Sequence, residues 1–125
     1  MKKLIHTDKA PKAIGPYSQA IEINGMLFIS GQIPIDPATG KLVKGDIREQ
    51  TERVMMSIGE ILNEAGYDYS DVVKSNCLLN DINDFAAMNE VYSRFYIEVR
   101  PARAAFAAKA LPMGALVEIE TIAVK

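Results

Sequence analysis

Asn24-Gly25, set between the β-prone runs at residues 18–23 and 26–30, constrains this chain more than any other pair of residues. Both positions tolerate positive φ, which a two-residue type I′ turn demands at its two central residues, so the spacing predicts a β-hairpin. Asp36-Pro37-Ala38-Thr39-Gly40 reads as a further turn, proline presetting φ and glycine supplying the exit. Asp46 is a helix N-cap with Glu49 three residues on. Ile47, Val54, Ile58, Ile61, Leu62 and Ala65 then recur at helical spacing until Gly66 stops them.

Beyond that helix, residues 72–79 alternate. Val73, Ser75, Cys77 and Leu79 are expected on one face of a strand, with Lys74, Asn76, Leu78 and Asn80 on the other. Phe85, Met88, Tyr92, Phe95 and Tyr96 predict a second long helix, opening near Asn83 and ending before Pro101. Residues 102–108 and 116–124 are extended, joined by a stretch with Pro112 and Gly114. The order is hairpin, helix, strand, helix, strand, strand. It predicts an α+β fold with both helices on one face of a mixed sheet and the other face left for self-association. A hairpin of the last two strands centred near Met113 would set Arg103 close to Ile122. At 125 residues, the chain is expected to form a single domain, residues 1–125.

Composition narrows the function. Fourteen basic against 16 acidic residues leave a net charge of −2 with the signs interspersed, so no basic face faces a row of phosphates and nucleic acid is not expected as a partner. The longest uncharged run, residues 23–35, is too short for a membrane helix, and no secretory signal is read at Met1-Lys2-Lys3. With one cysteine and no disulfide framework, the expected compartment is cytoplasmic. His6 is the only histidine and Cys77 the only cysteine, so no metal cluster and no histidine-activated nucleophile can be assembled within one chain. Cys77, inside an alternating strand, reads as core filler. Gly31, Gly40 and Gly45 match no phosphate-binding spacing, and no cofactor is expected.

Polar groups in apolar surroundings remain. Arg103 stands among small residues, sharing a strand face with Ala105 and Ala107, and its planar fork suits a ligand carboxylate as well as an ion pair to Glu118 or Glu120. Glu118 and Glu120 share a face of the last strand opposite Val117, Ile119, Thr121 and Ala123, fitting either acid/base work or a solvated face. Tyr17 follows a rigid Gly15-Pro16 turn, and Ser30-Gly31-Gln32 ends a strand where backbone groups can meet a ligand. Asn89 is either a ligand contact or a surface amide.

Residues 13–19 (Ala-Ile-Gly-Pro-Tyr-Ser-Gln), Ser30-Gly31-Gln32-Ile33-Pro34, Asn83-Asp84-Phe85-Ala86 with Asn89, Pro101-Ala102-Arg103 and Val117-Glu118-Ile119-Glu120 run in order across the chain. Together they resemble the reactive intermediate deaminase (Rid) family of enamine/imine deaminases. The resemblance implies a chorismate-mutase-like fold, a homotrimer with sites between subunits, and hydrolysis of 2-iminobutanoate and 2-iminopropanoate to 2-oxo acids and ammonia. It further implies Arg103 as the carboxylate clamp, Glu118 as the residue holding the attacking water, and Tyr17, Ser30, Gly31 and Asn89 as pocket wall. Many members carry cysteine where this chain has Ala105, so a thiol mechanism is excluded there, while the backbone at that position remains able to orient water or substrate. The competing expectation is a non-catalytic trimer that binds small carboxylates in a regulatory role.

Overall fold

The computed structural model describes residues 1–125. Its strands are β1 (Lys3–Ile5), β2 (Ala20–Ile23), β3 (Met26–Gln32), β4 (Ile35–Asp36), β5 (Lys41–Leu42), β6 (Val72–Leu79), β7 (Ala102–Ala107) and β8 (Val117–Val124). Its helices are α1 (Ile47–Ala65) and α2 (Phe85–Tyr92). Six strands form one sheet in the order β1-β2-β3-β8-β6-β7, and β4 and β5 form a small separate hairpin around the turn at residues 36–40.

The local signals are realised in detail. Asn24 and Gly25 have φ of 52° and 74°, as the tight turn between β2 and β3 requires. In α1, Asp46 accepts from the Arg48 N–H while Glu49 reaches back to the Asp46 N–H. The helix ends on Gly66 in the left-handed region at φ 83°.

Topology explains which face is covered. β3 and β6 are both antiparallel to β8, so they run parallel to each other with α1 as their crossover, and α2 is the crossover between the parallel pair β6 and β7. The two crossovers advance across the sheet in the same direction. With the same right-handed sense, both helices must land on one face. The core lies there: Leu27, Val54, Ile58, Ile61, Leu62, Cys77, Leu79, Met88, Val117 and Ile119 are fully buried. The bare face carries Phe28, Phe106 and Val124 exposed, with Ile21, Leu78 and Ile122 partly so.

Three expectations are corrected. The second helix is only two turns long: it follows a 3₁₀ turn at Ile82–Asp84 and gives way to turns before Tyr96, which is nevertheless buried. In β6 it is Val72 that is buried and Val73 that is 46 % exposed, because the ladder to β8 slips between Val72 and Lys74 and the bulge flips the face. Finally, β7 and β8 form no hairpin. They flank β6 on opposite sides, so Arg103 registers with Ser75, which in turn registers with Thr121.

Candidate active site

Two groups of polar side chains are set apart by the sheet. The first centres on Arg103 of β7, the edge strand. Its register partner Ser75 is fully buried under the helices, so Arg103 rises on the helix-covered face and reaches its rim, partly buried. The guanidinium carbon lies 5.0 Å from the centre of the Tyr92 ring and 5.3 Å from that of Phe85. Arg103 Nη1 donates to Asn89 Oδ1 at 2.6 Å. Phe85, Asn89 and Tyr92 stand at i, i+4 and i+7, a single stripe of α2.

No carboxylate pairs with Arg103, and register puts Glu118 and Glu120 on the other face, so the ion pair left open by the sequence is not formed. A cleft of about 370 Å³ opens beside the guanidinium, lined by Asn89, Tyr92, Ser93, Arg100, Pro101 and Arg103: two arginines and no acid. Ala105 follows on the same face, opposite Cys77 and partly buried against the core. The Arg103 side chain thus lies along an aromatic stripe of α2, not over its alanine neighbours as its strand position suggested.

The second group is built around Glu118 on the bare face, registered with Leu78 and partly buried. Burial first, and the charge of Glu120 second, push its carboxyl above the ordinary range. Glu120 is exposed and accepts from Asn76 Nδ2 at 2.5 Å. Gly31 lies directly against Glu118: a methyl group there would overlap Oε2. The β3 ladder to β8 slips between Ile29 and Gln32, and only a glycine leaves the carboxylate room where this bulge brings backbone onto it.

Neighbouring bonds hold Tyr17 in place. Ser30 Oγ donates to the Ser18 carbonyl at 2.6 Å and the Ser30 N–H to the Gln19 carbonyl at 2.9 Å. Gln19, 2 % exposed, accepts from the Thr7 N–H at 2.8 Å and donates to the carbonyls of Thr7 at 3.0 Å and Pro11 at 2.8 Å. The segment so stapled presents an exposed Tyr17 ring, which lines a hollow of about 250 Å³ together with Gly31, Ile33 and Met113.

The fold therefore gathers Tyr17, Ser30, Gly31 and Glu118 in one group and Asn89, Arg103 and Ala105 in another. Sequence reasoning missed Gln19 as the staple and read Phe85 and Tyr92 only as part of the apolar spacing of a helix. Their helical spacing from Asn89 was the available signal. Cys77 is fully buried. Burial pushes its thiol up to about 11 despite the opposing charge of Arg103, so it stays protonated and inert near neutrality.

A family model described as Endoribonuclease L-PSP matches residues 7–125. A RutC family protein of Pyrococcus abyssi is 56 % identical over 124 residues, covering 99 % of this chain and 98 % of its own. The 2-iminobutanoate/2-iminopropanoate deaminase of Bos taurus is 50 % identical over 125 residues, with coverage of 100 % and 91 %. Among solved structures, E. coli TdcF with bound serine superposes with a TM-score of 0.94 at 39 % identity, covering 98 % of each chain. No helix of the chain is long and apolar enough to cross a membrane.

Proposed function

We propose, from the premise that this chain belongs to the Rid (endoribonuclease L-PSP) family, that it is a 2-iminobutanoate/2-iminopropanoate deaminase acting as one domain in a homotrimer. The observation that carries the site assignment is the unpaired guanidinium of Arg103 in a cleft without acids. A planar cation so held binds a small carboxylate through paired hydrogen bonds. In this reading Glu118 belongs to the neighbouring chain's half of the site, along with Tyr17, Ser30 and Gly31, while Arg103, Asn89 and the Ala105 backbone form the facing half. The apolar bare face, with Phe28, Phe106 and Val124 exposed, is the surface that such an assembly covers.

The chemistry asks little of the protein, since a protonated imine is already a strong electrophile. Arg103 anchors the substrate carboxylate and Glu118 holds a water against C2. As the water oxygen bonds to C2, the C=N electron pair moves onto nitrogen and Glu118 takes a water proton. Glu118 then gives that proton to the amino nitrogen. The C–N electron pair leaves with nitrogen as the hydroxyl oxygen forms the carbonyl and gives its proton back to Glu118, and the departing ammonia takes that proton to leave as ammonium beside a 2-oxo acid. A carboxyl pushed above its ordinary range is suited to both receiving and returning the proton. Water and side chains suffice, so the reading calls on no cofactor. It places the protein in the cytoplasm, where amino-acid dehydratases make such imines. A nuclease role, which the family description suggests, has less support: His6 is the only histidine, is paired with Asp8 at 3.1 Å, and the chain is net acidic.

The deciding experiment generates 2-iminobutanoate with a threonine dehydratase and follows 2-oxobutanoate formation with and without the protein. Faster formation is expected, strongly reduced in both Arg103→Lys and Glu118→Gln. A carboxylate receptor without catalysis would bind pyruvate equally well and leave formation unchanged throughout.

A further inference from the structure

The support beneath Arg103 is electrically neutral, and we propose that this neutrality keeps its charge available: Phe85 and Tyr92 are positioning residues for the guanidinium, completing with Asn89 a cradle that holds it without cancelling it. The inference rests on the carboxylate-clamp reading of Arg103. A guanidinium drawn partly out of water needs electrostatic compensation, and a carboxylate partner is the common source. That partner would compete with a substrate carboxylate for the same N–H groups. Ring faces attract a cation without adding a counter-charge, and both Phe85 and Tyr92 lie within the range at which this attraction acts. Asn89 takes one N–H through a neutral carbonyl oxygen and leaves the rest of the fork free.

The cradle is rooted in the core. Tyr92 is 6 % exposed and packs on Tyr96 at 4.9 Å between ring centres. Tyr96 meets Tyr69 edge-on at 5.8 Å, and Tyr69 meets Phe95 at 5.5 Å. The hydroxyls of Tyr92 and Tyr96 lie buried beside Ser75. Ring packing on Tyr96 sets the Tyr92 face against the guanidinium. The aromatic face does the positioning and the hydroxyl is dispensable to it.

Three variants test this by pyruvate affinity in calorimetry, by KM and kcat on dehydratase-generated 2-iminobutanoate, and by thermal melting. Tyr92→Leu is expected to raise the pyruvate Kd and the KM together, by about fivefold to tenfold, with kcat within about twofold of the parent. Tyr92→Phe restores both. Asn89→Asp, nearly isosteric, gives Arg103 a counter-charge. It is expected to weaken pyruvate binding by at least about tenfold while the melting temperature holds or rises. A folded Tyr92→Leu with parental Kd overturns the proposal, and so does an Asn89→Asp that binds as tightly as the parent. If Tyr92→Leu does not fold, Asn89→Asp decides alone. A parent that binds pyruvate yet hydrolyses no imine removes the deaminase reading and leaves the cradle to the affinity measurements. A parent that binds no pyruvate removes clamp and cradle together.

Discussion

Arg103 and Glu118 rise from opposite faces of one six-stranded sheet: Arg103 registers with buried Ser75 under the helices, whereas Glu118 registers with Leu78 on the side the helices leave bare. One chain cannot close both around a three- or four-carbon substrate. A site using both side chains is completed by a second copy.

Complementation reads this out. Arg103→Ala and Glu118→Gln, each inactive alone, are unfolded together and co-refolded in equal amounts. If each site takes its arginine from one chain and its glutamate from the next, about one quarter of the sites recover both residues, and activity returns to about that fraction of the parent. Sites built within single chains would give no recovery.

Gly31→Ala places a methyl group where Glu118 Oε2 now lies. The carboxylate is the end of a flexible side chain, so it swings away and the protein stays folded. Turnover is expected to fall by about tenfold or more with pyruvate affinity much less affected. Parental kcat in folded Gly31→Ala would show that the observed Glu118 position is not the working one.

Glu118 also makes a pH-dependent contribution to stability. Burial and Glu120 raise its pKa above the ordinary 4.5, so the folded state favours the protonated form. The cost of ionising it is absent below that ordinary value and is incurred as pH rises through the raised one. Glu118→Gln is therefore expected to melt higher than the parent near pH 7, the gap closing toward pH 4. Melting curves across that range check it, and a gap that widens on acidification contradicts the sign. In the parent, kcat should fall on the acid side at a pH above that of an ordinary glutamate, as the base becomes protonated.

Cys77→Ser tests the one thiol. It puts a hydroxyl in a fully buried site packed among core side chains, at a cost of about 1–3 kcal/mol. For a chain of this size the melting temperature should drop by about 4–11 °C while kcat stays at the parental value. Lost activity with unchanged melting would make the thiol functional.

Much of this fold is legible residue by residue. The Asn24-Gly25 turn, the Asp46/Glu49 capping box, the Gly66 stop and the alternation of Val117–Val124 all appear where the chain announces them. Each depends on φ preferences, side chain to backbone bonds and periodicities within a few residues. The alternation also placed Glu118 and Glu120 on one face and Arg103 with Ala105 on another. Which faces those were in the shared sheet depended on partners distant in sequence. β8 enters between β3 and β6, β7 joins β6 in parallel, and two crossovers of one hand and one direction put α1 and α2 on the same side. The bulge that buried Val72 in place of Val73, the shortening of α2, and the stripe of Phe85, Asn89 and Tyr92 beneath Arg103 likewise follow from which nonlocal surfaces had to be buried together. Local chemistry set most elements and the alternation along the last two strands; only packing among distant elements decided that the arginine and the glutamate would part company across the sheet.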